Sequence, residues 1–187
     1  MSASGGQTPW EMYGQLEDQG IDWTWMEIFQ TDERIAPAGS PERNLTHLIV
    51  SLSLPAQSVL RPMPVTEPDP EEAAERYAQT LPEAFDLIHL GLGPDGHTAS
   101  LVPGDPVLDV TDRRVAVTAG EYQGTRRMTL TYPELNRARR LLWIVTGADK
   151  REPLAKLLEG DTSIPAGRVE PGGTSVIVAD REAAPDS

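Results

Sequence analysis

Apolar and polar positions alternate in blocks along the chain, and the blocks predict helices and strands in turn. Thr8, Pro9 and Glu11 carry a capping-box spacing, with proline at a first helical position, so a helix is expected over residues 9–17. Gly20 breaks the chain, and the aromatic run Ile21-Asp22-Trp23-Thr24-Trp25-Met26-Glu27-Ile28-Phe29 reads as a strand ending at Thr31-Asp32-Glu33-Arg34. Ser40-Pro41 repeats the cap-then-proline signature and opens a helix through Leu48. The proline-rich stretch 54–70 is expected as a loop. Asp69-Pro70 starts another helix, whose stripe is Ala73, Ala74, Tyr77, Ala78 and Leu81. Short strands follow at 85–90, 114–118 and 127–132, then a helix at 133–140, a central strand at 141–146, a helix at 150–158 and a strand at 174–179.

Strands alternating with helices imply an α/β fold of three layers, α/β/α, with a mainly parallel, Rossmann-like sheet covered on both faces. The 187 residues fit a single domain, 1–187, with a frayed tail at 181–187. In such folds ligands sit beyond the carboxyl ends of the strands, which gathers Asp32-Glu33-Arg34, the stretch GLGPDGH at 91–97 and Gly147-Ala148-Asp149-Lys150 at one rim.

Composition narrows the partners. The formal net charge of -13 repels nucleic acid and anionic membranes, and the apolar run at 45–54 is too short to span a bilayer. Met1 to Gly6 lacks the charged start and apolar core of a signal peptide, so a cytoplasmic protein is expected. With no cysteine, thiolate chemistry and disulfides are excluded. No metal-ligand spacing occurs, and without a GxSxG elbow Ser100 is no esterase nucleophile. A small phosphorylated anion remains possible where cations and free N–H groups gather locally.

Four stretches offer that chemistry. Ser4-Gly5-Gly6-Gln7-Thr8-Pro9 puts glycines before a capped helix, where the dipole's positive end and free N–H groups hold phosphate. Arg34 offers a planar fork beside Asp32 and Glu33, and Lys150 sits in a helix's first turn, a position an anion would favour. His97 follows a strand on a glycine loop with Asp95 two residues earlier, and Thr98-Ala99-Ser100 is able to begin a helix. A histidine so placed can act as a general base, whereas His47, in an apolar helix, and His89, within a strand, read as structural.

In order, SGGQTP, TDER, SPERN, GLGPDGHTASLVPG, RRMTLT, VTGADK and IPAGRV span nearly the whole chain, and together they resemble the 6-phosphogluconolactonase family. The resemblance implies hydrolysis of 6-phospho-D-glucono-1,5-lactone in the oxidative pentose phosphate pathway without metal or organic cofactor. It also implies His97 as the base and Asp95 as its orienting partner or a shaper of the loop. Gly5, Gly6, Thr8, Arg34 and Lys150 form the phosphate cradle, Arg127 is a further candidate, and Asp32 holds sugar hydroxyls or Arg34. The partner is then a phosphorylated sugar lactone, bound by a monomer or weak homo-oligomer.

Two alternatives stand beside this reading. One is an aminosugar-phosphate deaminase/isomerase of the same fold; Arg34 and the Thr-Ala-Ser-Leu after His97 speak against it. The other is a noncatalytic sugar-phosphate sensor. Three departures from the family pattern are Gln7, Val102 and the start of the chain only three residues before Ser4. Relatives usually carry a helix and strand ahead of that segment, so the sheet is expected to lack that strand and the phosphate loop to be looser.

Overall fold

The computed structural model describes residues 1–16, 19–52 and 54–185. In chain order the elements are β1 (Ser2–Ala3), α1 (Gln7–Gly14), a 3-10 turn at Trp23–Trp25, β2 (Ile28–Gln30), β3 (Asp32–Arg34), α2 (Asn44–Ser51), α3 (Leu54–Ser58), β4 (Leu60–Arg61), α4 (Pro70–Thr80) and β5 (Ile88–Leu90). There follow β6 (Val115–Val117), β7 (Arg127–Leu130), α5 (Tyr132–Leu135), β8 (Arg140–Val145), α6 (Arg151–Glu159) and β9 (Thr174–Ala179).

Six strands form a parallel sheet in the order β4-β2-β1-β5-β8-β9, and β3-β7-β6 form a separate antiparallel sheet. From β1 the chain winds outward to β2 and β4, then returns to β5 and winds the other way. The order therefore reverses between β1 and β5, and a ligand crevice is expected outside their carboxyl ends. Ser2–Ala3 takes a central place in the sheet: Ser2 N donates to Leu87 O, Phe29 N to Met1 O and Thr31 N to Ala3 O, so the first residues pair on both sides. The core is built on β2, β5, β7 and β8, whose apolar side chains pack Phe29, Ile88, Leu90, Met128, Leu130, Leu141, Trp143 and Val145 together. A smaller cluster of Ala3, Tyr13, Trp23, Ile28, Leu48 and Leu52 lies under α1 and α2.

Several elements differ from the sequence reading. Helix α1 starts at Gln7, capped by Gly6 at φ 121 with no side-chain bond. The Thr8 hydroxyl instead meets Thr146 Oγ1 at 2.7 Å, and Glu11 accepts from Gln7 Nε2, so no capping box forms; Glu17 lies outside the described residues. In the aromatic run, Asp22 accepts the Thr24 N–H and turns Trp23–Trp25 into a 3-10 segment, which delays the strand to Ile28. The 40–48 helix begins only at Asn44, because Ser40 Oγ takes the Glu42 N–H in a turn ahead of it. The 54–70 loop contains α3 and the edge strand β4, and the 133–140 helix is a single turn.

Where the sequence signals were local, the elements follow them. Asp69 Oδ1 accepts from Glu71 and Glu72 N–H at the start of α4. Gly160, at φ 67, closes α6 in a Schellman arrangement with Gly160 N to Leu157 O and Asp161 N to Lys156 O. The expected frayed tail is a held turn up to residue 185. Asp180 Oδ1 accepts from Ala183 N, and Ala183 is fully buried; Asp186 and Ser187 lie outside the described residues.

Candidate active site

A cavity of about 450 Å³ opens at the reversal point of the sheet. The loop after β1 supplies Gly5 and Gly6, the first turn of α1 supplies Thr8, β3 supplies Asp32 and Arg34, and the loop after β5 supplies Gly91, Gly93 and His97. Arg127 from β7 and Lys150 from the turn after β8 complete the wall. Asp95 is not on the lining, and it touches His97 from behind.

The glycine loop is shaped around the imidazole. Gly93 N donates to His97 O at 2.8 Å, and a Cβ on Gly93 would lie 2.0 Å from His97 Nδ1, so only glycine fits beneath the ring. No helix begins at Thr98; Ala99 takes φ 49 and Thr98 pairs with Leu101 in an isolated bridge. His97 Nδ1 lies 2.6 Å from Asp95 Oδ1. An ionised carboxylate only accepts, so the bond puts the ring proton on Nδ1 and leaves Nε2 as the basic atom. Burial by itself would raise the Asp95 carboxyl, but the bonds from His97 and Tyr122 outweigh it and hold Asp95 below the usual carboxylate range.

The opposite wall is cationic and incompletely paired. Arg34 Nη1 donates to Glu42 O at 2.7 Å and Asn44 Oδ1 at 2.9 Å, and Arg127 Nη2 donates to Tyr122 O and Gln123 Oε1. The Nε atoms of both arginines are buried without a hydrogen-bond partner among the described residues. Burial pulls the Arg127 guanidinium below its ordinary value; Asp32 opposes that shift and the charge of Arg34 adds to it. Lys150 Nζ donates to its neighbour Asp149 at 2.7 Å. With the N-terminus of α1 beside them, which Gly6 leaves without a side-chain cap, these groups can hold an anion.

Asp32 does not touch Arg34 directly. Its Oδ2 accepts from Ser100 Oγ at 2.6 Å and its Oδ1 from Asn44 Nδ2 at 3.2 Å, and Asn44 links it to Arg34. Asn44 was missed by sequence reasoning, although SPERN contains it. Its fixed position explains Gly5, where a Cβ would lie 2.0 Å from Asn44 Oδ1. Glu33, fully buried, accepts from the backbone N–H groups of Arg34, Asn44 and Leu45, so it caps α2 and anchors Asn44 in the site. Tyr122 and Gln123 also carried no sequence signal; both lie in a turn between β6 and β7.

The two other histidines are held in the structure. His47 stacks on Trp10 with ring centroids 4.0 Å apart, joining α2 to α1. His89 is buried with Nδ1 2.9 Å from both Ser4 Oγ and Tyr13 OH, and burial lowers its pKa to about 4. Among the described residues no helix is long and apolar enough to cross a membrane.

Residues 1–178 match the family model described as glucosamine-6-phosphate isomerases/6-phosphogluconolactonase. A 6-phosphogluconolactonase of Synechocystis sp. is 36% identical over 98% of this chain and 82% of its own length. The crystal structure of 6-phosphogluconolactonase from Thermotoga maritima superposes with a TM-score of 0.86 at 30% identity, covering 95% of this chain and 83% of that one. A monomeric glucosamine-6-phosphate deaminase shares the fold, with a TM-score of 0.81 at 21% identity over 97% of this chain and 85% of its own.

Proposed function

The chain belongs to the glucosamine-6-phosphate isomerase/6-phosphogluconolactonase family, and on that premise we infer that it hydrolyses 6-phospho-D-glucono-1,5-lactone to 6-phospho-D-gluconate with His97 as the base. The reaction is a lactone hydrolysis in the oxidative pentose phosphate pathway. One observation carries the assignment of the base. His97 Nδ1 is tied to Asp95 Oδ1 at 2.6 Å while its ring lines a cavity that also holds Arg34, Arg127 and Lys150.

The steps follow from that geometry. The substrate's phosphate occupies the cradle of Gly5, Gly6, Thr8, Arg34 and Lys150, with Arg127 beside it and Asp32 turned to sugar hydroxyls. His97 Nε2 takes a proton from water as the water oxygen bonds to the lactone carbonyl carbon, and Asp95 stabilises the imidazolium. The tetrahedral oxyanion collapses, the bond from carbonyl carbon to ring oxygen breaks, and the proton passes from His97 to that oxygen. The product is a hydroxyl and a carboxylic acid, and the base is restored. A δ-lactone carbonyl is reactive enough for a positioned base and oriented donors to suffice. The enzyme is read as a cofactor-free monomer or weak homo-oligomer of the cytoplasm.

Lactone hydrolysis at mildly acidic pH, where spontaneous opening is slow, tests this reading in the parent chain and in His97→Ala. Loss of most turnover with product binding retained is expected; equal turnover in both would remove His97 from the chemistry.

A further inference from the structure

Behind the cavity wall, one side chain touches both the base pair and the cationic wall. Tyr122 OH donates to Asp95 Oδ2 at 3.0 Å, while His97 Nδ1 takes the other oxygen, Oδ1. The Tyr122 ring meets the His97 ring edge-on, with centroids 5.2 Å apart, and the Arg127 guanidinium carbon lies 5.0 Å from its centroid. Tyr122 itself is not among the residues lining the cavity, although His97, Gln123 and Arg127 are.

The backbone is built to deliver that contact. Tyr122 N donates to Thr125 O, and the two residues between them, Gln123 and Gly124, take φ 55 and φ 84. Positive φ at both central positions is the two-residue turn that matches strand twist, and it is costly for glutamine. The strained Gln123 meets Arg127 through its side chain, so the turn presents two successive residues to the site.

We propose that Tyr122 is a positioning residue, whose hydroxyl fixes the Asp95 carboxylate so that His97 keeps its proton on Nδ1 and presents Nε2 to water. This rests on the reading of His97 as the base. Oδ1 alone, accepting from the His97 ring and the His97 backbone N–H, leaves the carboxylate free to tilt about χ2; with Tyr122 OH on Oδ2 as well it has one orientation, and the imidazole follows it.

Steady-state hydrolysis of the lactone by the parent, His97→Ala, Tyr122→Phe, Asp95→Ala and the Tyr122→Phe/Asp95→Ala pair tests the assignment. Tyr122→Phe keeps the ring on Arg127 and removes one oxygen atom, so folding is preserved and thermal melts should agree. It should lower kcat about tenfold, the size of one hydrogen bond to a charged group, with KM within about twofold of the parent. In the Asp95→Ala background the same change should cost nothing further, because the hydroxyl acts through Asp95. No turnover by the parent, or turnover that His97→Ala leaves intact, overturns the reading of the base and this proposal together. Turnover that depends on His97 but is unaffected by Tyr122→Phe, or that falls equally in both backgrounds, overturns this proposal alone.

Discussion

Arg34 and Arg127 face each other directly across the antiparallel pair of β3 and β7, so two cations share one register position at the cavity wall. Like charges directly opposite on a sheet are unfavourable unless something offsets them. Asp32 contributes, but it is already engaged by Ser100 and Asn44. A phosphate dianion bound at that wall would offset the repulsion.

That arrangement predicts a split in kinetics. Arg34→Met and Lys150→Ala should raise KM for the lactone by about tenfold or more while changing kcat far less, since each removes a charge-assisted contact to a part of the substrate that does not react. Binding of 6-phosphogluconate should raise Tm in the parent, and the rise should shrink in both variants. A kcat loss without a KM change in either would place that residue at the reacting carbonyl.

Two glycines of the same loop should behave differently. A methyl group on Gly93 would overlap the His97 ring, whereas a Cβ on Gly91 has no heavy atom within 4 Å. Gly93→Ala should reduce kcat toward that of His97→Ala, because the ring must leave its place against Asp95. Gly91→Ala should leave the His97 ring in place and the melting temperature parental, its methyl entering only the open cavity. Lactone hydrolysis by Gly93→Ala, set beside thermal melts of both variants, separates displacement of the base from general disturbance of the loop.

The contrast between local and distant partners also explains what the sequence disclosed. Asp69 caps α4 from within its own turn, and β8 and β9 are marked by uninterrupted apolar runs, so those elements were readable. That the glycine loop, Arg34 and Lys150 line one cavity was readable because each follows a strand of the parallel sheet. The α2 cap was not, since its acceptor Glu33 lies 11 residues before Asn44 and belongs to another sheet. For the same reason Thr8 was misassigned: its hydroxyl partner, Thr146, is 138 residues away. Tyr122 has no motif at all, and only the packing of its turn against residues 95–97 gives it a role.

Glu33 is expected to matter for stability and for the site together. Its carboxylate accepts from three backbone N–H groups and Gln30 Nε2, and Arg43 Nε lies 3.5 Å away, all in the interior. Glu33→Ala would strand those donors and an arginine without their acceptor, a loss of about 3–5 kcal/mol by the usual cost of breaking a buried charged pair. Urea unfolding should register that loss. Turnover should fall as well, since Asn44 would no longer be anchored between Asp32 and Arg34. A stability change below about 1 kcal/mol, the worth of an ordinary exposed pair, would show that solvent reaches these groups.

His89 predicts an acid limb in stability beneath the glycine loop after β1. Its folded-state pKa is about 4 against an ordinary 6.5, because burial disfavours the charged ring. Above 6.5 both folded and unfolded chains carry it neutral, and its contribution is fully in place. As pH falls from 6.5 to 4, the unfolded chain takes up a proton that the folded chain refuses, so stability declines through that window by about 3 kcal/mol from this group alone. His89→Gln, neutral throughout, should flatten the decline when unfolding free energy is followed by urea titration at pH 7, 5.5 and 4.5. An unchanged slope would mean that the His89 ring is protonated in the folded state. In that case Ser4, whose hydroxyl meets the ring at 2.9 Å, would act as an acceptor next to Gly5 and Gly6, and that loop would sit on a charged histidine.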